Sequence, residues 1–268
     1  MTMVDFHMHT AASEDSEALA VDMCAAAVEK GLSAVAITDH VEMLRYREEG
    51  YDRAAEASWA ASGEMAARFS GQLRVARGIE LGQPLYNREE SERLLDACPY
   101  DFILASQHQL EDGVDFYYYN YDDADVTDTM NLYFDAVLQM VRWGRFHSLA
   151  HLTYPMRYIP ADKRPQGYAA WQDRIDAILG ELAAKGLALE INTSGLRAPS
   201  LKTTHPDFPI IRRFRELGGE YITVGADAHR PQDVGAGIPE ALALARRAGF
   251  AHIAVYFGGN PVKIPISI

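Results

Sequence analysis

Glu181-Leu182-Ala183-Ala184-Lys185-Gly186 runs directly into Leu187-Ala188-Leu189-Glu190-Ile191, and this junction decides the fold. The first six residues read as the end of a helix, with lysine in its last turn and glycine beyond it as terminator. The next five read as a near-continuous apolar strand, the kind a parallel sheet buries under helices. The same junction recurs. Ala25-Ala26-Ala27-Val28-Glu29-Lys30-Gly31 leads into Leu32-Ser33-Ala34-Val35-Ala36-Ile37, and Phe214-Arg215-Glu216-Leu217-Gly218-Gly219 leads into Tyr221-Ile222-Thr223-Val224. Ala245-Arg246-Arg247-Ala248-Gly249 leads into Ile253-Ala254-Val255-Tyr256. Upstream of Gly186, Trp171, Ile175, Ile178, Leu179 and Leu182 share one face of a 3.6-residue period and are expected in the core. Pro239 suits the first turn of a helix through Leu242 and Ala245. Further strands are expected around 3–6, 73–79, 101–105 and 147–151, which gives seven or eight βα units.

Chemistry-bearing residues fall where the apolar runs stop. They lie in Asp5-Phe6-His7-Met8-His9, Thr38-Asp39-His40, Gly78-Ile79-Glu80 and Ser106-Gln107-His108. Leu149-Ala150-His151, Leu189-Glu190-Ile191-Asn192 and Ala226-Asp227-Ala228-His229 repeat the pattern. Six of the nine histidines belong to it, which random scatter would not produce. In a βα barrel the loops after the strands converge at one rim. A doubly wound open sheet would gather its site at a single crevice, so seven contributing strand ends favour closure. In His7-Met8-His9 the alternation of an extended chain points both imidazoles to one side, where they can share an ion. Asp227-Ala228-His229 repeats that spacing near the other end of the chain, and closure would bring the two pairs together. Glu80 supplies a carboxylate able to bridge two ions, and His40, His108 and His151 supply single imidazoles.

Composition sets the outer limits. With 268 residues and 48% hydrophobic content the chain can bury a large core, and one domain over 1–268 is expected. There is no 18-residue apolar stretch and no basic start followed by an apolar signal segment, so a soluble cytoplasmic protein without membrane contact is expected. Cys24 and Cys98 give no disulfide framework, and Cys24 reads as a core thiol. A net charge of −13 argues against long nucleic acids as partners. It does not exclude a small anionic substrate, because bound divalent ions would dominate the field at their site. Oligomeric state is not legible.

The order HxH (His7, His9), TDH (Thr38 to His40), GIE (Gly78 to Glu80), QH (Gln107, His108), an isolated His151 and DxH (Asp227, His229) resembles the polymerase-and-histidinol-phosphatase (PHP) superfamily. Within it, Ser106-Gln107-His108, the stretch from His151 to Tyr158 and that from Glu190 to Arg197 resemble the stand-alone histidinol-phosphate phosphatases. The resemblance implies a distorted, TIM-like (β/α)7 barrel with two or three divalent ions, zinc, manganese or iron. It implies a first ion on His7, His9, Glu80 and Asp227, with Glu80 bridging to a second on His108 and His151. A third would sit on His40, His229 and Asp15. Ser13-Glu14-Asp15-Ser16 equally fits a cap before a helix at Glu17. Asp39 is expected behind the ligands, orienting an imidazole or capping the strand end. Three such ions bring +6 against −3 from Asp15, Glu80 and Asp227, which leaves room for hydroxide and a phosphate dianion.

The implied activity is hydrolysis of L-histidinol phosphate in histidine biosynthesis, by attack of metal-held hydroxide on phosphorus. Arg157 and Arg197 would grip phosphate oxygens, and Asp227 or His229 would assist the leaving group. Arg230 reads as a surface residue. The same ions could serve a nucleotide phosphodiesterase, or persist in an inactive metal-stabilised accessory domain. Three histidines stand outside the set: His147 at a strand start, His205 in a loop facing water, and His252 in a structural role. Tyr117, Tyr118, Tyr119 and Tyr121 are expected to pack a loop rather than form a lid.

Overall fold

The computed structural model describes residues 3–199 and 201–267. Seven strands lie side by side in one parallel sheet: β1 (Met3–Met8), β2 (Leu32–Ile37), β4 (Arg74–Gly82), β5 (Phe102–Ser106), β6 (Ser148–Leu149), β7 (Ala188–Asn192) and β8 (Ile222–Gly225). A short β3 (His40–Glu42) pairs in parallel with the far end of β4. The sheet curls until its edges meet. His9 N donates to Ala228 O at 2.9 Å and Asp227 N to His7 O at 2.8 Å. β1 is therefore joined to the segment leaving β8, as the two i, i+2 pairs require.

Covering helices α1 (Ala20–Glu29), α2 (Tyr51–Arg68), α3 (Arg88–Ala97), α4 (Val126–Trp143), α5 (Gln172–Lys185), α7 (Phe208–Glu216) and α8 (Ile238–Arg247) alternate with the strands, and a single turn, α6 (Ser194–Arg197), follows β7. The α5 stripe is as the sequence spaces it: Ile175, Ile178, Leu179 and Leu182 are buried, with Trp171 just ahead. Each such aliphatic side chain contributes about 2 kcal/mol on leaving water. β7 and β8 are buried along their whole length, which explains their continuous apolar sequence. Gly186 ends α5 with φ +65°, a conformation that costs a residue with a Cβ but not glycine.

Two expectations change. Ile253–Tyr256 is not a barrel strand: β9 (His252–Phe257) turns back at Gly258-Gly259 and pairs antiparallel with β10 (Asn260–Pro265) in a separate sheet. This hairpin packs where barrel strands begin. Phe257 meets Phe6 edge-on at 5.9 Å, Tyr256 stacks on Phe102 at 5.3 Å and on His147 at 5.0 Å, and Gly258 N donates to Asp101. It closes the end of the barrel opposite the histidines. Secondly, no helix starts at Glu17: α1 begins at Ala20 without a side-chain cap, so Ser13–Ser16 is free of that duty.

Candidate metal centre

Glu80 occupies the middle of the histidine-rich rim and is fully buried. Its Oε2 lies 3.1 Å from His7 Nε2, 3.4 Å from His9 Nε2 and 3.1 Å from His40 Nδ1. Its Oε1 lies 2.8 Å from His151 Nε2 and 3.1 Å from His108 Nε2. Five imidazoles from four strand ends thus surround one carboxylate. Asp227 Oδ1 stands 3.3 Å from His9 Nε2, 3.7 Å from His7 Nε2 and 3.6 Å from His229 Nδ1. Asp227 is held at φ +54°, a left-handed conformation that aspartate tolerates better than most side chains. Asp15 completes the outer side, with Oδ2 2.9 Å from His229 Nε2 and 3.7 Å from His40 Nε2.

Hydrogen bonding alone does not account for this cluster. His9 Nε2, His40 Nδ1 and His229 Nε2 are buried with carboxylate oxygens close by but out of hydrogen-bond alignment, and the Nε2 atoms of His108 and His151 face each other at 3.3 Å. Such crowding is costly for protons and suits cations that take lone pairs from nitrogen and carboxylate oxygen. The charges agree. Burial works against the Glu80 and Asp227 carboxylates, yet the surrounding imidazoles hold both well below the usual range. Burial and its neighbours His229 and His40 push His9 down to about 3, so it is a neutral donor at pH 7. Against its own burial, Glu42 and Glu80 raise His108 to about 10. Among the described residues four triads have donor atoms within 4.8 Å of one another: His7/His9/Asp227, His7/Glu80/His151, His40/Glu80/His108 and His9/His40/His229.

The rim opens into a cavity of ≈ 840 Å³ whose walls include Arg157, Arg197, Asp115, Tyr117, Tyr154 and Tyr158. Arg157 ends a 3-10 turn after β6 and donates to Ser194 Oγ at 3.2 Å, with Asp227 Oδ2 4.0 Å away. Arg197, at the end of α6, donates to Ala226 O at 2.7 Å and Asp227 O at 3.2 Å, while its other terminal nitrogen has no partner. Both guanidinium groups are anchored beside Asp227 with donors to spare.

The PHP domain family matches residues 5–194. The chain belongs to this family. Relatives align with more than nine-tenths of it. The histidinol-phosphatase of Lactococcus lactis is 28% identical over 96% of this chain and 96% of its own length. A probable histidinol-phosphatase of Thermotoga maritima is 29% identical over 94% and 95%. The crystal structure of the L. lactis histidinol phosphate phosphatase, complexed with zinc, L-histidinol and phosphate, superposes with a TM-score of 0.82 at 27% identity, covering 98% of this chain and 99% of that one. A solved structure from Listeria monocytogenes shares 17% identity with a TM-score of 0.76 over 88% and 99%, and bears on the fold.

This PHP chain brings His7, His9, Asp15, His40, Glu80, His108, His151, Asp227 and His229 to one rim. Asp39 acts through Ser13: the serine hydroxyl donates to Asp39 Oδ1, contacts His9 Nδ1 at 3.1 Å and receives His40 N. Arg230 is exposed on the cavity wall, and His147 and His252 lie with the hairpin at the other end, His252 exposed. His205 corrects the sequence expectation. It is 1% exposed, contacts Thr153 Oγ1 at 3.1 Å, and is walled in by Gly195, where a Cβ would come within 2.8 Å of its Nε2. The tyrosines divide: Tyr121 is buried, whereas Tyr117 and Tyr118 are exposed on the cavity wall.

Three acids escaped the sequence analysis as orienting groups. Glu190 Oε1 lies 2.7 Å from His7 Nδ1, and Glu42 Oε1 lies 2.8 Å from His108 Nδ1. Asp5 accepts from the Ala226 and Gly235 amides and helps fix the closure. Glycines make room for two of them: a Cβ at Gly225 would sit 2.5 Å from Glu190 Oε1, and one at Gly82 would overlap Glu42.

Proposed function

We propose that the protein is a metal-dependent phosphomonoesterase that hydrolyses L-histidinol phosphate to L-histidinol and phosphate in histidine biosynthesis. One observation carries this: five imidazoles and Asp227 converge around Glu80 in front of two arginines, in a chain matching histidinol-phosphatases along its length. His7, His9, Glu80 and Asp227 would hold one ion, with Glu80 extending to a second on His108 and His151. His40, His229 and Asp15 would hold a third. Zinc, manganese and iron all accept this mixture of nitrogen and oxygen donors. When bound, the ions supply Lewis acidity, which activates water at neutral pH and offsets phosphate charge.

The remaining work falls to the protein's own residues. Arg157 and Arg197, fixed by Ser194 and by the Ala226 and Asp227 carbonyls, would grip the equatorial phosphate oxygens, where charge accumulates during transfer. Asp227, held ionised, and its neighbour His229 would assist departure of the alkoxide by orienting a water that gives it a proton. Among the described residues no helix is long and apolar enough to cross a membrane, which accords with a small phosphorylated substrate met in the cytoplasm. The acidic balance of the chain speaks against long nucleic acids as substrates.

The test is turnover of L-histidinol phosphate before chelation, after verified metal removal, and after adding back zinc or manganese, beside a panel of nucleotides. Loss on chelation, recovery on add-back and preference over nucleotides are expected. Undiminished turnover in metal-free protein, or preference for nucleotides, would overturn the proposal.

A further inference from the structure

Arg157 and Arg197 sit on different loops, yet one buried side chain touches the start of both. Thr153 precedes the 3-10 turn Tyr154–Arg157, and Gly195 lies in the single turn Ser194–Arg197. His205 stands between them. Its Nδ1 is 3.1 Å from Thr153 Oγ1, and its Nε2 faces Gly195 so closely that a Cβ there would come within 2.8 Å. His205 N donates to Asn192 O and Asn192 N to His205 O, both at 2.9 Å, which clamps this loop to the end of β7. From there the connection continues through side chains. Asn192 Oδ1 accepts from Ser194 N at 3.0 Å and from the Ser194 hydroxyl at 2.6 Å, and the hydroxyl oxygen in turn accepts from Arg157 at 3.2 Å.

His205 does not meet substrate, because it is 1% exposed and lies behind the cavity wall. Filling space does not explain it either. Burial, with His151 and Arg157 nearby, lowers it from 6.5 to about 3, so the ring is neutral. Burying an imidazole carries a desolvation cost that a phenyl ring would not. With its proton on Nδ1 the ring donates to the Thr153 hydroxyl and turns only a lone pair toward Gly195.

We propose that His205 is a positioning residue for phosphate, its ring setting the separation of the two arginine-bearing turns so that Arg157 and Arg197 reach one phosphate together. This rests on the phosphatase reading above, in which those arginines grip the equatorial oxygens. A shift of about 1 Å in either fork is enough to cost a large part of the rate. The side chain's own contacts are with Thr153 and Gly195, neither of them an ion ligand, so the metal centre is left in place when the ring is changed.

The holoenzymes to compare are wild type, His205→Phe, which keeps a ring without Nδ1, and His205→Asn, whose amide can donate where Nδ1 does. In His205→Phe, kcat/KM on L-histidinol phosphate should fall about 10- to 100-fold, and the inhibition constant of inorganic phosphate should rise about 10-fold. Inhibition by L-histidinol, which carries no phosphate, and the zinc content per chain should match wild type. His205→Asn should regain most of the loss. Thr153→Val probes the same bond from its other end and serves if a His205 variant does not fold. It should weaken phosphate in the same way, and the double variant Thr153→Val/His205→Phe should lose less than the two single losses combined. Phenylalanine matching wild type while asparagine does not would make His205 a packing residue. Equal weakening of phosphate and L-histidinol, or loss of zinc, would make the effect a general distortion. Either result overturns the positioning role and leaves the phosphatase reading intact. If the wild-type holoenzyme cleaves no L-histidinol phosphate, the phosphatase reading itself fails and the positioning role goes with it.

Discussion

An imidazole has two nitrogens, and what fixes one of them decides what the other can do. Glu190 takes Nδ1 of His7, so Nε2 is left for Glu80 and Asp227. Its second oxygen accepts His151 N at 2.9 Å and Asn192 Nδ2 at 3.2 Å, which locks the carboxylate itself. Such partners set the tautomer and basicity of a ligand. Glu190→Gln keeps the size and removes the charge. We expect it to lower zinc affinity about 10- to 100-fold, read by equilibrium dialysis of apoprotein, with the fold retained. Unchanged affinity would show that Glu190 is a packing residue. The signal for these acids was present in the sequence. Asp5-His7-His9, His40-Glu42 and Glu190-Asn192 all keep the two-residue spacing of one strand face, but in sequence that alternation stands out only in the histidine pair and in Asp227-His229. Glu42 was harder to see because its strand is only three residues long and lies beyond the point where the apolar run Leu32–Ile37 has stopped. His205 was not legible. It lies beside a proline in a polar loop, and its partner Thr153 comes from another loop far away in sequence.

Among the elements, the β9–β10 hairpin departs most from expectation, and the reason is physical. An apolar run after a glycine stop looks the same whether it enters the barrel or packs across its end. The distinguishing signal is the Gly258-Gly259 turn, which commits the next residues to an antiparallel partner. The barrel strands, by contrast, were legible because each carries both an apolar run and a polar residue at its end. His147 ties the hairpin to the barrel: its Nδ1 accepts Ile103 N at 2.9 Å and its ring stacks on Tyr256. Burial lowers it from 6.5 to about 4. Between those values the unfolded chain binds the proton and the folded chain does not, so stability falls as pH drops from about 6.5 toward 4. The loss attributable to His147 should approach about 3 kcal/mol at the acid end. Denaturant unfolding at several pH values checks this against His147→Asn, whose amide oxygen can replace the acceptor. A variant with the same pH slope as the wild type would refute the assignment.

At the scale of the whole molecule, chemistry and packing occupy opposite poles. The rim gathers Glu80, Asp227 and six imidazoles, groups that repel or desolvate one another without cations between them. The other end is sealed by Phe6, Phe102, Tyr256 and Phe257, which need nothing from solution. Ions that bind only the folded chain stabilise it by mass action, and chelation removes that contribution. The aromatic seal gives this loss a direction. Stripped of metal, the barrel should fray from one pole: backbone amides after β1, β5, β6 and β8 would trade hydrogen for deuterium sooner, while those of the hairpin keep their protection. Uniform acceleration along the chain would mean that the aromatic end cannot hold the barrel closed unaided.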